Sequence, residues 1–208
     1  MKEDEEIPDC KITLIGDSGV GKTSIIGRFI TGIFKSEMNI TVGGVYSKKY
    51  YKKKGKKICL NLWDTAGQEK YRSLGKNFYK NSFIILIVYD ICSRKSFERI
   101  KDIWYPDIKN NGEKFNIIAI VGNKKDKYEE EEVTEQEAMN FAEEIDGKFF
   151  LVSAYNGEGI DTMFQTLANN FFDEVFMSKV NESRERRKDS IVLNDKILEK
   201  KYNNNNCC

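Results

Sequence analysis

Three stretches of this chain hold residue types and spacings suited to phosphate chemistry. Gly16-Asp17-Ser18-Gly19-Val20-Gly21-Lys22-Thr23 fits the pattern GxxxxGK[ST]. Glycines at 16 and 21 permit a tight turn and let backbone N–H groups approach phosphate oxygens. A helix starting there adds the positive end of its dipole. Lys22 would neutralise the outer phosphates of a nucleotide, and the Thr23 hydroxyl would bind Mg²⁺. In Asn123-Lys124-Lys125-Asp126, the Asp126 carboxylate could accept hydrogen bonds from N1–H and N2–H of guanine. Adenine offers no donor there and would leave a buried carboxylate unpaired. The Lys124 stem can lie over the base face, and a backbone N–H at Ser153-Ala154 could meet guanine O6. In Trp63-Asp64-Thr65-Ala66-Gly67-Gln68-Glu69, Asp64 is placed to hold Mg²⁺ through water. The Gly67 N–H would meet a γ-phosphate, and Gln68 would orient an attacking water.

Each stretch needs an element to position it, and the hydrophobic pattern supplies one. Lys11 to Ile15 reads as a strand broken at Gly16, and Gly21 to Thr31 as a helix. Residues 32–44 show no period and read as a loop. Tyr46 to Tyr51 and Ile58 to Trp63 flank a Lys-Lys-Gly-Lys turn, the pattern of a hairpin. Phe83 to Tyr89 and Asn116 to Val121 are near-continuous apolar runs, as parallel strands buried on both faces require. Between them Phe97, Ile100, Trp104 and Ile108 recur at helical spacing and read as core. Thr134-x-x-Glu137 is a capping box opening a helix with Ala138, Phe141, Ala142 and Ile145 inward. Phe149 to Val152 reads as a strand. Ile160, Met163, Phe164, Leu167, Phe171 and Val175 mark a last amphipathic helix. Strands alternating with helices predict an α/β fold around a parallel sheet.

Composition narrows the chemistry further. The 208 residues carry 34 Lys+Arg against 33 Asp+Glu, so the net charge of +1 makes no electrostatic case for nucleic acid. There is no His, which excludes Ser-His-Asp and Cys-His nucleophile systems and His-ligated zinc. Cysteines stand at 10, 59, 92, 207 and 208, with no CxxC pair; the first three read as small core or near-core residues. The acidic start MKEDEEIPDC has no apolar run of the signal-peptide kind. No apolar run approaches the ~20 residues a membrane span needs, which predicts a soluble protein of a reducing compartment unless something covalent anchors it. The lysines of 48–57 read as a solvated turn, and Glu129 to Glu132 as a solvated loop. After about Met177 the chain is charged and ends in four Asn before Cys207-Cys208, which reads as a mobile tail.

The three stretches, in this order and at strand ends, resemble the small GTPases of the Ras superfamily, and within it the Rab family. The Rab resemblance rests on Lys70-Tyr71-Arg72-Ser73-Leu74 after Glu69, on Phe78-Tyr79-Lys80-Asn81-Ser82, on Ile87 to Ile91 and on the terminal Cys207-Cys208. It implies a P-loop NTPase (small G-protein) fold, a six-stranded mostly parallel sheet with helices on both faces, and one antiparallel edge strand from the hairpin. Residues 1–9 would be an acidic extension, 10–177 the GTP-binding domain and 178–208 a hypervariable tail. Nucleotide contacts are carried onto Ser18, Gly19, Val20, Gly21, Lys22, Thr23, Ser24, Phe34, Thr41, Gly67, Asn123, Lys124, Asp126, Ser153, Ala154 and Tyr155. Metal contacts fall on Thr23, Thr41 and Asp64, and catalysis on Gln68. Phe34 matches the aromatic that packs on guanine, and Thr41 the switch I threonine. The sequence departs from the usual pattern at Gly44 and Val45, and at Tyr155, where the family usually has Lys.

The resemblance further implies a GTP/GDP-regulated switch in vesicle trafficking with slow intrinsic hydrolysis. Implied partners are an exchange factor, an activating protein, prenyl-delivery and GDP-dissociation-inhibitor proteins, and effectors recruited through the switch segments. Cys207 and Cys208 would be geranylgeranylated, which places the protein on the cytosolic face of an intracellular membrane. Two alternatives stay open on the residues alone. A non-hydrolysing GTP-binding module is favoured by Tyr155 and the Gly43-Gly44 pair, and opposed by Gln68. A P-loop phosphotransferase would need an Arg-rich lid that the sequence does not display.

Overall fold

The computed structural model describes residues 8–35, 41, 44–53, 55–65, 80–110 and 116–175. Six strands form one sheet: β1 (Asp9–Gly16), β2 (Gly44–Lys53), β3 (Lys56–Thr65), β4 (Ile84–Asp90), β5 (Ile117–Asn123) and β6 (Lys148–Leu151). Their order is β2-β3-β1-β4-β5-β6. Every neighbouring pair is parallel except β2 and β3, which run antiparallel. This is the predicted sheet, with the hairpin as its antiparallel edge. β4 shows why the apolar runs read so clearly. Ile84 to Tyr89 are all inaccessible to solvent, because helices cover both faces of a central parallel strand.

Among the helices, α1 (Lys22–Thr31) starts after Gly21 and ends at Gly32, both left-handed, and the Gly32 N–H is donated to the Arg28 carbonyl. Its Phe29 ring stacks on Phe164 at 3.9 Å. The helix predicted from Phe97 to Ile108 is broken into α2 (Arg94–Arg99), a π turn (Ile100–Trp104) and α3 (Tyr105–Asn110). Pro106 supplies the reason: it has no N–H to continue an α-helical ladder, and a widened turn absorbs the loss. Phe97, Ile100 and Ile108 still reach the core, whereas Trp104 is half-buried at its edge.

A 3₁₀ segment, Lys125–Glu130, follows β5. α4 (Glu135–Glu144) is capped as predicted, the Thr134 hydroxyl accepting from the Glu137 N–H. The Glu137 carboxylate, however, is taken by Arg94 at 2.6 Å. Cys10 and Cys59 are buried and Cys92 half-buried, all with free thiols. Residues 160–175 are helical and bury Ile160, Met163, Phe164 and Leu167.

The chain divides into two compact units, Met1–Asn169 and Asn170–Cys208; of the second, residues 170–175 are described and are helical. The expected domain boundary at Met177 lies outside the described residues. Among those residues no helix is long and apolar enough to cross a membrane.

Candidate nucleotide and magnesium site

Parallel strands bring the loops that follow their C-terminal ends to one edge of the sheet, where ligands of α/β folds bind. Here that edge collects Gly16 from β1, Asp64 from β3, Asp90 from β4 and Asn123 from β5. Gly16 has φ +138°, and a Cβ there would lie 2.2 Å from the Val88 carbonyl oxygen. At Gly21, φ +97°, a Cβ would lie 2.2 Å from Asn123 Nδ2. Only glycine admits the loop between them at either place. Ser18 and Gly19 are exposed at the tip of that loop, Val20 is buried beneath it, and Ser24 is half-buried on α1.

Lys22 is 5% exposed, and its Nζ donates to the carbonyls of Gly16 at 2.9 Å and Asp17 at 2.7 Å. Burial pushes its pKa down to about 8, against the opposing pull of Asp64 and Asp17. In protein stripped of nucleotide this has a consequence for stability. Below pH 8 the ammonium is charged in both folded and unfolded chains, and the cost of burying it is fully present. Between pH 8 and 10.5 the folded chain has already released the proton that the unfolded chain keeps, so stability rises with pH. The gain should reach about 3 kcal/mol. Urea unfolding of the stripped protein beside Lys22→Met, below and above this window, checks it. The gap between the two should shift by that amount, and a constant gap would contradict the assigned burial.

Thr23, Thr41 and Asp64 meet although 41 residues separate the first from the last. Thr23 Oγ1 donates to Asp64 Oδ2 at 2.6 Å, Thr41 Oγ1 donates to the same oxygen at 3.2 Å, and the two hydroxyls lie 2.8 Å apart. The other carboxylate oxygen, Asp64 Oδ1, is buried with no hydrogen-bond partner among the described residues. Burial raises the Asp64 pKa, and the hydrogen bond from Thr23, the Lys22 charge and the hydroxyl of Thr41 oppose the shift. An orphaned buried carboxylate oxygen beside two hydroxyls is an all-oxygen, hard donor set, and it fits Mg²⁺.

The base end is built from loops after β5 and β6. Asn123 Nδ2 donates to the Val20 carbonyl at 2.8 Å, and Asn123 Oδ1 accepts the Ala154 N–H at 3.1 Å. Asn123 thus ties the phosphate loop to the base loop. The Ser153-Ala154 pair, expected to offer a backbone N–H to guanine O6, has both of its N–H groups already engaged: that of Ser153 is bonded to the Glu158 carbonyl and that of Ala154 to Asn123. Lys124 adopts the left-handed conformation (φ 71°) and its Nζ bonds Asp90 Oδ2 at 2.5 Å. The Ser153 hydroxyl donates to Asp126 Oδ1. Phe34 and Tyr155 meet edge to face, with ring centroids 5.3 Å apart, and Tyr155 is 61% exposed.

Two supporting groups escaped the sequence reading. The Arg28 guanidinium on α1 donates to the carbonyls of Ala154 at 2.9 Å, Gly32 at 2.8 Å and Tyr155. It fastens the base loop to the segment leading to Phe34. The only signal for it was a cation within the apolar run Ile25 to Ile30. Asp17 accepts from Arg99 Nε at 2.9 Å and from Trp104 Nε1 at 2.8 Å. Trp104, read as core, spends its polar end on the phosphate loop. Gly67, Gln68, Cys207 and Cys208 lie outside the described residues.

A family model described as the Ras family matches residues 11–173. "Ras-related protein RabC" of Dictyostelium discoideum is 36% identical over 200 residues, covering 95% of this chain and 96% of that protein. "Ras-related protein Rab-11B" of the same organism is 39% identical over 170 residues, 82% of this chain and 77% of its own. "GTP-binding protein ypt3" of Schizosaccharomyces pombe is 33% identical over 219 residues, covering 100% of this chain and 99% of its own.

Proposed function

Because the chain belongs to the Ras family and is a Rab-like small GTPase, we propose that it works as a GTP/GDP switch built on the residues named above. The observation that carries this is the meeting of Thr23, Thr41 and Asp64 around one carboxylate oxygen. In this reading Lys22 leaves its two carbonyl partners for the outer phosphates of the nucleotide. Thr23, Thr41 and Asp64 would hold Mg²⁺, which when bound neutralises charge shared between the outer phosphates. Asp126 reads guanine, Phe34 and Tyr155 flank the base, and Asn123 keeps the base and phosphate loops in register. Thr41 and the Gly67 N–H hold the γ-phosphate, and Gln68 orients the attacking water. Hydrolysis removes the γ-phosphate contacts and releases the segments around residues 41 and 67.

Those two segments are the surface that effectors, an exchange factor and an activating protein would read, and recruitment to vesicle membranes is the outcome. Intrinsic hydrolysis is slow and the activator supplies about 10³–10⁵ in rate, as this superfamily generally requires. Cys207 and Cys208, delivered to prenyl transfer and later extracted by a dissociation inhibitor, would anchor the protein on a cytosolic membrane face.

Single-turnover hydrolysis with Mg²⁺ tests the chemical core of the reading. The expected products are GDP and phosphate, and Gln68→Leu should slow their formation about 10²-fold. Equal rates would remove Gln68 from the chemistry. Transfer of phosphate to an acceptor nucleotide would make the protein a phosphotransferase.

A further inference from the structure

The phosphate loop has little backbone stiffness of its own. With Gly19 (φ 80°) between Gly16 and Gly21, three of its residues have positive φ, and its tip, Ser18 and Gly19, is exposed. Packing does not fix the tip from the side. A cavity of about 330 Å³ lies beside it, lined by Ser18 and Gly19 of the loop and by Lys95 and Ser96 of α2. Side chains tie the loop down instead. Asn123 holds the Val20 carbonyl at one end. At the other end the Asp17 carboxylate reaches across to α2 and the π turn.

The second tie depends on the irregular helix. Arg99 Nε lies 2.9 Å from Asp17 Oδ1 and 2.8 Å from Oδ2, and Trp104 Nε1 donates to Oδ1 at 2.8 Å. Arg99 and Trp104 are five residues apart. In an α-helix of 3.6 residues per turn that spacing points two side chains about 140° apart. The π turn removes the difference. The Tyr105 N–H is donated to the Ile100 carbonyl five residues back, and a turn closed at that spacing brings Trp104 back over Arg99. Both donors then meet one carboxylate. Asp17 is the only acid from Gly16 to Thr23, and its backbone carbonyl holds Lys22 Nζ at 2.7 Å. A bare carboxylate here would repel phosphates, and a loose one would free the carbonyl on which Lys22 rests.

We infer that Arg99 and Trp104 are positioning residues for nucleotide binding: through Asp17 they hold the phosphate loop in its receiving shape, and Arg99 cancels the one negative charge the loop carries. The inference rests on the nucleotide reading above and adds to it the part of the helix that governs how long a nucleotide stays. The side chains of Asp17 and Arg99 are 17% and 29% exposed, so their contact is sheltered from water, where a charge-assisted hydrogen bond is at its stronger end. The π turn aims the two donors, as such turns often do at functional sites.

Release of labelled GDP from the full chain with Mg²⁺ tests it. Arg99→Met should speed release by about tenfold, because it leaves a partly buried carboxylate without its cation. Trp104→Phe keeps the ring and removes only the N–H, and should speed release by about threefold. Adding Asp17→Asn to Arg99→Met removes the charge that needed a partner, while the amide oxygen still accepts from Trp104. Release should then slow to within about twofold of the unaltered rate. A double variant as fast as Arg99→Met would reduce Arg99 to a packing residue and overturn the inference, and so would unchanged release in both single variants. The contact itself is read in protein stripped of nucleotide. There the Trp104 indole N–H resonance, assigned by its loss in Trp104→Phe, should move upfield in Asp17→Ala, and an unmoved resonance would overturn the contact whatever the chain binds. Failure of the unaltered chain to bind GDP would bring down the switch reading and the positioning role with it, whereas equal release rates in a chain that binds GDP bring down the positioning role alone.

Discussion

Asp126→Asn should turn a guanine-selective protein into one that prefers xanthine. The carboxylate can only accept, which suits the two N–H groups on the guanine edge. An amide offers a donor to the oxygen that xanthine carries in place of the guanine amino group. Asp126 is well placed for such reading. It follows the left-handed turn at Lys124, the Lys125 N–H is bonded to the Val152 carbonyl at 3.1 Å, and the Ser153 hydroxyl orients the carboxylate. A site built to pair a polar edge rejects the analogue that leaves its groups unpaired by about 10⁴–10⁵. The preference for GDP over XDP should therefore change by about 10⁴-fold. Competition of labelled GDP against XDP and ADP measures it. Tight ADP binding by the unaltered protein would overturn the guanine assignment, and an unchanged GDP preference in the variant would move base reading away from Asp126.

The second large effect is expected at the other end of the chain. Replacing Cys207 and Cys208 together with Ser should shift the protein from the membrane fraction to the soluble one. Four asparagines precede the two thiols. One lipid chain of ordinary length holds a protein to a bilayer only marginally, with an association constant of about 10⁴ M⁻¹, whereas two anchor it stably. Removing both should therefore leave the protein essentially all in the soluble fraction. The eight Lys and Arg from Lys179 onward, against five acids, add weak attraction to anionic lipid that does not replace the chains. Fractionation of cells expressing each form decides the matter. A double variant that still sediments like the unaltered protein would refute lipid anchoring through these cysteines, and a single Cys→Ser variant with intermediate partition would show that both chains act.

Much of this protein was legible from residue order. Local physics writes many strands and helices directly: a strand buried on both faces is apolar throughout, as Ile84 to Tyr89 are, and a side-chain cap marks a helix start, as Thr134 does. Once strands alternate with helices, parallel topology follows, and the motif at each strand end is carried to the same edge of the sheet. Residue type then bounded the chemistry, because glycine, lysine and hydroxyl in fixed spacing suit a phosphate and the absence of His removes whole reaction classes. Tertiary structure decided how these groups support one another. Arg28 reaches the Ala154 carbonyl across 126 residues, Asn123 reaches Val20 across 103, and Trp104 reaches Asp17 across 87. Nothing in the local pattern distinguishes such residues, since an arginine on a helix or a tryptophan in an apolar stripe has the same spacing whether it faces solvent, core or a distant loop. Which of these it meets depends on the packing of elements far apart in the chain. The convergence of Thr23, Thr41 and Asp64 on one carboxylate oxygen is of the same kind: residue type and spacing proposed Thr23 and Asp64, the family resemblance proposed Thr41, and only the fold brought them within hydrogen-bond distance.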